Sequence, residues 1–514
     1  MELPLAPVML IFGIFVLAIV VIGVAVCPET QTFTDFALGG RRLGALTTAL
    51  SAEASDMSGW LFLGLPGAVY AGGLGATWIA VGLALGTYLN WRFVAPRLRT
   101  YTERANHALT LPAYLEERFE DDSRVLRLVS AAVTVVFFTV YVASGFVAGG
   151  LLFDQIFHVG FAFGLTVCAV VMVTYSVLGG FRAVSTSHLV QGALMVLAAA
   201  ALPVIGMAHL GGFGTLRHAL DGKDGALLDP GARVGFSDGE WGAGGSLGWI
   251  AVLSMLSWGL GYFGQPHILA RFMGIRSTDD IVLARRIGVG WVVVALAGAC
   301  LAGLLGIAVL HEPLNDPETV FIALSAQLAD PWFAGVLLVA VLAAITSTAD
   351  SQLLVSATSL SEDFFRAFLH RRASDLASVW VARGTVIGVA VVAYEIALSG
   401  GAVLDIVAYA WAGFGAAFGP VLLLSLYWPG MTKSGAMAGM VTGALTVVLW
   451  KHIDPLLGPL RTGVYAMVPG VLTATAAAVL CGALAGRRSL RSWAGPTGDA
   501  TPRAPRARGA HKRQ

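Results

Sequence analysis

The chain has 514 residues, of which 57% are hydrophobic and 12% charged, and its mean hydropathy is +0.77. A soluble protein of this length carries roughly a quarter charged residues, so the composition excludes a single aqueous-core domain and places the chain in lipid. The formal net charge of +1 leaves no electrostatic footprint for a nucleic-acid partner, and Cys27, Cys168, Cys300 and Cys481 stand one to an apolar segment, without metal-ligand or redox spacing.

A spanning helix needs about 20 apolar residues. Residues 5–27 meet that length with no basic leader and no small-residue cleavage site, so they read as a retained first helix rather than a signal peptide. Further spans are expected near 44–72, 74–95, 124–153, 160–180, 187–210, 246–270, 286–310, 332–366, 377–399, 403–427, 434–451 and 463–485, thirteen in all. With the N-terminus outside, the inner loops and tail hold 27 of the 32 Lys and Arg residues. That asymmetry fixes the expected orientation, with the C-terminus inside. The stretch 486–514, rich in Arg, Pro, Ala and Gly, is expected to be a disordered basic tail lying near anionic headgroups. The Gly- and Asp-rich segment 211–245 is the longest outer connection, a lid or a spacer.

Two spans are interrupted by small and polar residues where an ordinary span is Leu and Val. The second contains Ser51-Ala-Glu-Ala-Ser-Asp-Met-Ser-Gly-Trp60, and the seventh Trp258-Gly-Leu-Gly-Tyr-Phe-Gly-Gln-Pro266. Unwound backbone at membrane depth must be buried in protein or line a wet cavity. Once freed, its carbonyls can hold a cation and its half-helix N-termini a carboxylate. Small residues also serve close helix packing, but two such breaks, each flanked by Trp and a hydrogen-bonding side chain, point to a transport site. Each break opens a group of five spans, so the layout reads as a five-plus-five repeat. Its segments are 1–43, a first repeat 44–210, the outer loop 211–245, a second repeat 246–427, two accessory helices in 428–485, and the tail. On the ninth span Ala344, Ser347 and Thr348 stand at i, i+3 and i+4 and share one face. Two hydroxyls and a carbonyl there suit a small hard cation such as Na⁺, although such hydroxyls also bond back to the preceding turn.

These residues carry a family resemblance. Ala37-Leu-Gly-Gly-Arg-Arg-Leu-Gly44, Ser55-Asp-Met-Ser-Gly-Trp60, Leu109-Thr-Leu-Pro112, Phe137-Phe-Thr-Val-Tyr141, Gly179-Gly-Phe181, Gly259 through Phe272 and Tyr409 through Pro420 run in order over residues 35–450. Together they resemble the sodium:solute symporters, and within them the bacterial sodium/proline symporters. The resemblance implies an all-α polytopic fold of the leucine-transporter type, with an inverted repeat and two broken helices. It further implies Na⁺-coupled symport of L-proline across a bacterial plasma membrane, with no cofactor beyond the co-transported ion. Carried over by motif, the Na⁺ ligands are the carbonyls of Ala54, Met57 and Ala344 and the hydroxyls of Ser347 and Thr348, with Asp56 in coupling. The proline pocket is Ser58, Trp60, Gly64, Tyr141, Trp258, Tyr262 and Gln265. Trp258, Tyr262 and Gln265 are spaced i, i+4, i+7, one stripe of an α-helix, and an aromatic wall suits the apolar ring and cationic nitrogen of proline.

Two positions depart from the resemblance. The proline symporters carry Asp where this chain has His188, in Ala183-Val-Ser-Thr-Ser-His188, and a small residue where it has Glu53. His188, expected at the cytoplasmic start of the sixth helix, exchanges a carboxylate for a group that titrates near neutrality when exposed, which makes it a second coupling candidate. Both departures leave H⁺ in place of Na⁺ as an alternative, beside symport of another small amino acid or an organic anion. A membrane sensor needs a signalling domain that 486–514 is too short to supply. No Ser/His/Asp, Cys/His, metal or nucleotide motif in an inner loop suggests an enzyme.

Overall fold

The computed structural model describes residues 4–26, 33–178, 180–370, 373–456, 458 and 462–484. Cys27, Gly179 and the expected basic tail therefore lie outside the described residues. The helices, in chain order, are α1 (Leu5–Val26), α2 (Phe33–Leu38), α3 (Ala45–Asp56), α4 (Gly59–Phe62), α5 (Gly64–Gly72), α6 (Trp78–Leu89) and α7 (Ala95–Arg104). They continue as α8 (Leu111–Arg118), α9 (Val125–Phe157), α10 (Phe161–Leu178), α11 (Phe181–Leu210), α12 (Phe213–Asp221), α13 (Gly248–Leu256) and α14 (Pro266–Gly274). The last seven are α15 (Asp280–Val309), α16 (Val320–Leu328), α17 (Pro331–Thr358), α18 (Asp375–Leu398), α19 (Val403–Tyr427), α20 (Lys433–Leu456) and α21 (Met467–Leu484).

Ten helices among the described residues are long and apolar enough to cross a membrane. Of the other three expected crossings two are short because they break, and α10 is a single shorter apolar helix. In the second expected span, α3 stops at Asp56, Met57 leaves the helical region with ψ 85°, and Ser58 is extended before α4 begins. Ser58 caps the new helix by accepting from the Trp60 N–H at 3.4 Å, a role serine favours because its hydroxyl replaces a missing helical acceptor. In the seventh, Ser257–Gly264 form a 3₁₀ helix, Gln265 is extended, and Pro266 opens α14. Proline keeps the residue before it out of the α region and tolerates the first helical position, so the break falls where the sequence puts it.

The span that includes α17 runs through the middle of the bundle: 83% of its most apolar window is buried, against 28% for α1, α20 and α21, which are peripheral. The centre is where α17 packs against α3, α9 and α11. Several helix boundaries differ from expectation, among them α15, which starts at Asp280 rather than 286, and α20, which runs to Leu456 rather than 451. The sixth helix starts at Phe181, not 187, with the extended Gly180 as its N-cap. The third runs on past residue 95 into α7 through one π-helical turn, Asn90–Val94.

The outer connection is folded. It holds α12 and a hairpin of β1 (Ala232–Ser237) and β2 (Glu240–Ser246), paired antiparallel with Phe236 opposite Trp241. Trp241 Nε1 donates to the Tyr70 carbonyl at 2.6 Å, and the Trp241 and Phe236 rings meet Tyr70 edge-on at 5.1 and 5.4 Å. The hairpin is thereby docked on α5, the far half of the first broken helix.

Candidate functional site

The break after Asp56 changes where one carbonyl can bond. In a continuous helix the Ser58 N–H would close on the Ala54 oxygen; here it turns to Asp56 O at 3.0 Å, and Met57 N–H bonds Glu53 O at 2.9 Å. Ala54 O is taken up by α17 instead: the Ser347 hydroxyl donates to it at 2.6 Å and the Thr348 hydroxyl lies at 3.5 Å. Ser347 also reaches Ala344 O at 3.1 Å. Four of the five expected ion ligands thus meet across the α3–α17 contact, and Met57 follows at the break, all of them buried. Hydroxyls rotate and have lone pairs to spare. The same oxygens that now bond each other can turn toward a cation held among them.

The two breaks touch through one hydrogen bond. The Tyr262 hydroxyl donates to Asp56 Oδ2 at 2.5 Å, while Trp60 Nε1 donates to Asp56 O at 3.2 Å. Asp56 Oδ1 and Gln265 Oε1 are buried and have no hydrogen-bond partner among the described residues, while the buried Tyr141 hydroxyl lies beside Ser58 and Trp60. Buried polar atoms in native proteins are nearly always paired. Each of the two unpaired acceptors has a lone pair open to a polar donor.

Other expected pocket residues are placed differently. In the 3₁₀ segment each residue advances about 120°, three to a turn, so Trp258 and Tyr262 do not share a stripe. The Trp258 ring stacks on Tyr465 at 5.1 Å, and its carbonyl accepts from Trp411 Nε1 at 2.7 Å. Tyr262 faces Asp56, with Trp411 edge-on at 5.1 Å. Gly64 packs against Leu404 of α19, where an added Cβ would lie 3.0 Å from that side chain. No local sequence signal marks Tyr465 or Asn90, whose side chain donates to the Tyr262 carbonyl at 3.0 Å. Trp411, beside both Trp258 and Tyr262, lies within the 409–420 motif.

His188 is not at a helix start. It is two turns into α11 and fully buried, with Nδ1 3.1 Å from Ser51 Oγ and 3.3 Å from Ser51 O. Ser51 Oγ also accepts from Arg271 Nε at 3.2 Å, and the buried guanidinium reaches Ser351 Oγ at 2.7 Å and His267 O at 2.8 Å. Ser351 in turn bonds Ser347 O at 2.8 Å. His188 and Arg271 therefore sit one helical turn from the Ala54–Ser347 contact, toward the end of the bundle that carries the basic loops.

A model of the sodium:solute symporter family matches residues 36–443. The sodium/proline symporter of Escherichia coli K12 is 46% identical over 474 residues, covering 91% of each chain. The osmoregulated proline transporter OpuE of Bacillus subtilis is 43% identical over 487 residues, 94% of this chain and 95% of that one. The high-affinity proline transporter PutP of the same organism is 46% identical over 455 residues, 87% and 92%. Among solved structures, a Na⁺-coupled sialic acid symporter in a substrate-bound outward-open state superposes with a TM-score of 0.76 over 93% of this chain and 98% of that one, at 16% identity. The two share a fold.

Proposed function

The chain belongs to the sodium:solute symporter family, and from that premise we propose that it imports L-proline, driven by Na⁺, through alternating exposure of one site to the two sides of a bacterial plasma membrane. It is a transporter and not an enzyme, and Na⁺ enters its chemistry as co-transported ion. The observation that carries the reading is the pair of contacts joining the breaks to their neighbours: Ser347 and Thr348 on Ala54 O, and Tyr262 on Asp56. Na⁺ is held by Ala54, Met57, Ala344, Ser347 and Thr348. The solute lies among Ser58, Trp60, Tyr141, Tyr262 and Gln265, with Trp258 and Gly64 closing the pocket toward Tyr465 and α19. Asp56 touches both sites and couples them. The proline assignment is supported by the names and the 43–46% identity of the relatives.

The broken segments α3–α5 and α13–α14, and the short α10, complete thirteen crossings, arranged as two repeats of five with opposite orientation, each opened by a broken helix. The N-terminus lies outside and the basic loops inside. One charge crossing roughly 100 mV supplies about 2.3 kcal/mol and a tenfold Na⁺ gradient about 1.4. Together these support roughly 500-fold accumulation with one Na⁺ per solute.

Purified protein in liposomes, given an inward Na⁺ gradient and radiolabelled L-proline beside other amino acids and organic anions, tests the assignment. Accumulation of another solute in preference to proline, or uptake driven by H⁺ without Na⁺, overturns it. Tyr262→Ala is expected to raise the half-saturating proline concentration tenfold or more at saturating Na⁺. Normal affinity in a less abundant protein would make Tyr262 a packing residue.

His188 acts in coupling by setting the charge beneath the ion. His188→Asp places a carboxylate beside Arg271, about a turn from Na⁺, where an added negative charge is worth on the order of 1 kcal/mol. Half-saturating Na⁺ should fall roughly fivefold to tenfold. An unchanged Na⁺ dependence of uptake removes His188 from coupling.

A further inference from the structure

The third crossing carries a device that neither the ion site nor the solute pocket accounts for. Between α6 and α7 the helix passes through the π-helical turn Asn90–Val94. Single π-helical turns are rare and are found frequently at functional sites. Here two consecutive side chains of the turn reach the two broken helices. Asn90 Nδ2 donates to the Tyr262 carbonyl at 3.0 Å, inside the unwound part of the second. Trp91 Nε1 donates to Glu53 Oε1 at 2.8 Å, one residue before Ala54 in the first. All three side chains are buried, Asn90 and Trp91 at 1% exposure and Glu53 at 2%.

The surroundings make these bonds specific. Gly86 packs backbone-to-backbone on Gly259, and a Cβ on Gly82 would lie 2.5 Å from the Leu256 carbonyl, so α6 and the 3₁₀ segment have no room to slide. Gly288 of α15 leaves a notch for Glu53, where an added Cβ would be 2.6 Å from Oε1. The Trp91 ring lies 4.5 Å from Phe272 of α14. Apolar side chains would fill this space without the cost of burying a carboxyl and a carboxamide. Polar residues at this junction are explained by the backbone they hold in place.

We propose that the π turn Asn90–Val94 is a positioning brace between the two binding sites. Through Trp91 and Glu53 it sets the Ala54 carbonyl of the ion site; through Asn90 it sets the segment that presents Tyr262 to Asp56. Na⁺ binding at the first break then orders the second break for the solute, and by linkage the solute tightens Na⁺ to the same degree. The brace deepens the Na⁺/proline reading and rests on it.

The experiment measures equilibrium binding of radiolabelled L-proline to the purified full-length protein across Na⁺ concentrations. The readout is the factor by which saturating Na⁺ tightens proline binding. Asn90→Ala and Trp91→Phe should each lower that factor at least tenfold, as should Glu53→Ala. Glu53→Gln keeps an acceptor for the Trp91 N–H and should restore most of it. A wild-type factor in Asn90→Ala and Trp91→Phe overturns the brace, as does a loss confined to the number of binding sites with dissociation constants unchanged. If the wild-type protein binds no proline, the substrate assignment fails instead. The brace is then read from binding of ²²Na⁺ alone, where Trp91→Phe and Glu53→Ala should weaken affinity at least tenfold while Glu53→Gln does not; wild-type Na⁺ affinity in the first two overturns it.

Discussion

Replacing Ser347 and Thr348 together by alanine is expected to raise the half-saturating Na⁺ concentration for uptake roughly 100-fold or more. Both hydroxyls face Ala54 O from α17, and Ser347 also spans to Ala344 O. A hydrogen-bonding group facing a charge contributes about 1.5–3 kcal/mol, so losing two removes on the order of 3 kcal/mol, each 1.4 being tenfold. The solute contacts proposed above, at Tyr141, Tyr262 and Gln265, do not include these two hydroxyls. Proline affinity extrapolated to saturating Na⁺ should therefore change far less than Na⁺ affinity. An unaltered Na⁺ dependence in the double variant would remove α17 from the ion site.

Glu318→Ala is expected to open the end of the bundle opposite the basic loops. Glu318 lies in the connection between α15 and α16, and its two carboxyl oxygens accept the N–H groups of Val403 and Leu404 at 2.7 and 2.9 Å. Those are first-turn donors of α19, which have no partner within their own helix. Gly67 of α5 rests on the Glu318 backbone, where an added Cβ would be 2.9 Å away, and Gly64 rests on Leu404. The far half of the first broken helix, the connection and α19 thus close on one side chain. Losing two such bonds costs about 3 kcal/mol, roughly 100-fold in the closure equilibrium.

The same residue makes closure depend on pH. Burial pushes the Glu318 carboxyl up from 4.5 to about 7, against the two backbone bonds and with help from Asp316 and Asp405. An opened gate returns it to water and to its ordinary value. The closed form then binds a proton that the open form releases over that interval, so closure is strongest at and below about pH 4.5, weakens as pH rises through about 7, and is flat above. Spin labels at Asp316 and Ala402 in a cysteine-free background would report the distance. The closed population should be larger at about pH 5.5 than at 7.5 in the wild type, independent of pH in Glu318→Gln, and nearly absent in Glu318→Ala. A distance distribution that Glu318→Ala leaves unchanged rules out the latch.

Much of the site is legible in the amino-acid sequence because the relevant signals are local. Pro266 forces Gln265 out of the helix wherever the chain goes, and Ser58 is a serviceable cap one residue past a Met that cannot serve as one. The i, i+3, i+4 spacing of Ala344, Ser347 and Thr348 is a property of α17 alone. Periodicity reasoning fails where it assumes the wrong helix. Trp258 and Tyr262 part company because the segment is 3₁₀, and tight backbone packing of Gly259 on Gly86 accompanies that geometry.

Apolar runs, two polar interruptions and the distribution of arginine are determined by the sequence itself, since lipid tolerates only helices that satisfy their own backbone and admits breaks only where protein covers them. Which groups meet across those breaks is a tertiary matter. That Ala54 O is answered by Ser347, that Tyr262 reaches Asp56, that His188 is buried beside Arg271, and that Asn90 and Trp91 reach separate broken helices all depend on residues 38 to 293 positions apart in the chain. No local propensity encodes such distances; they follow from how α11, α14, α15 and α17 pack around α3, where most buried polar atoms must find a partner.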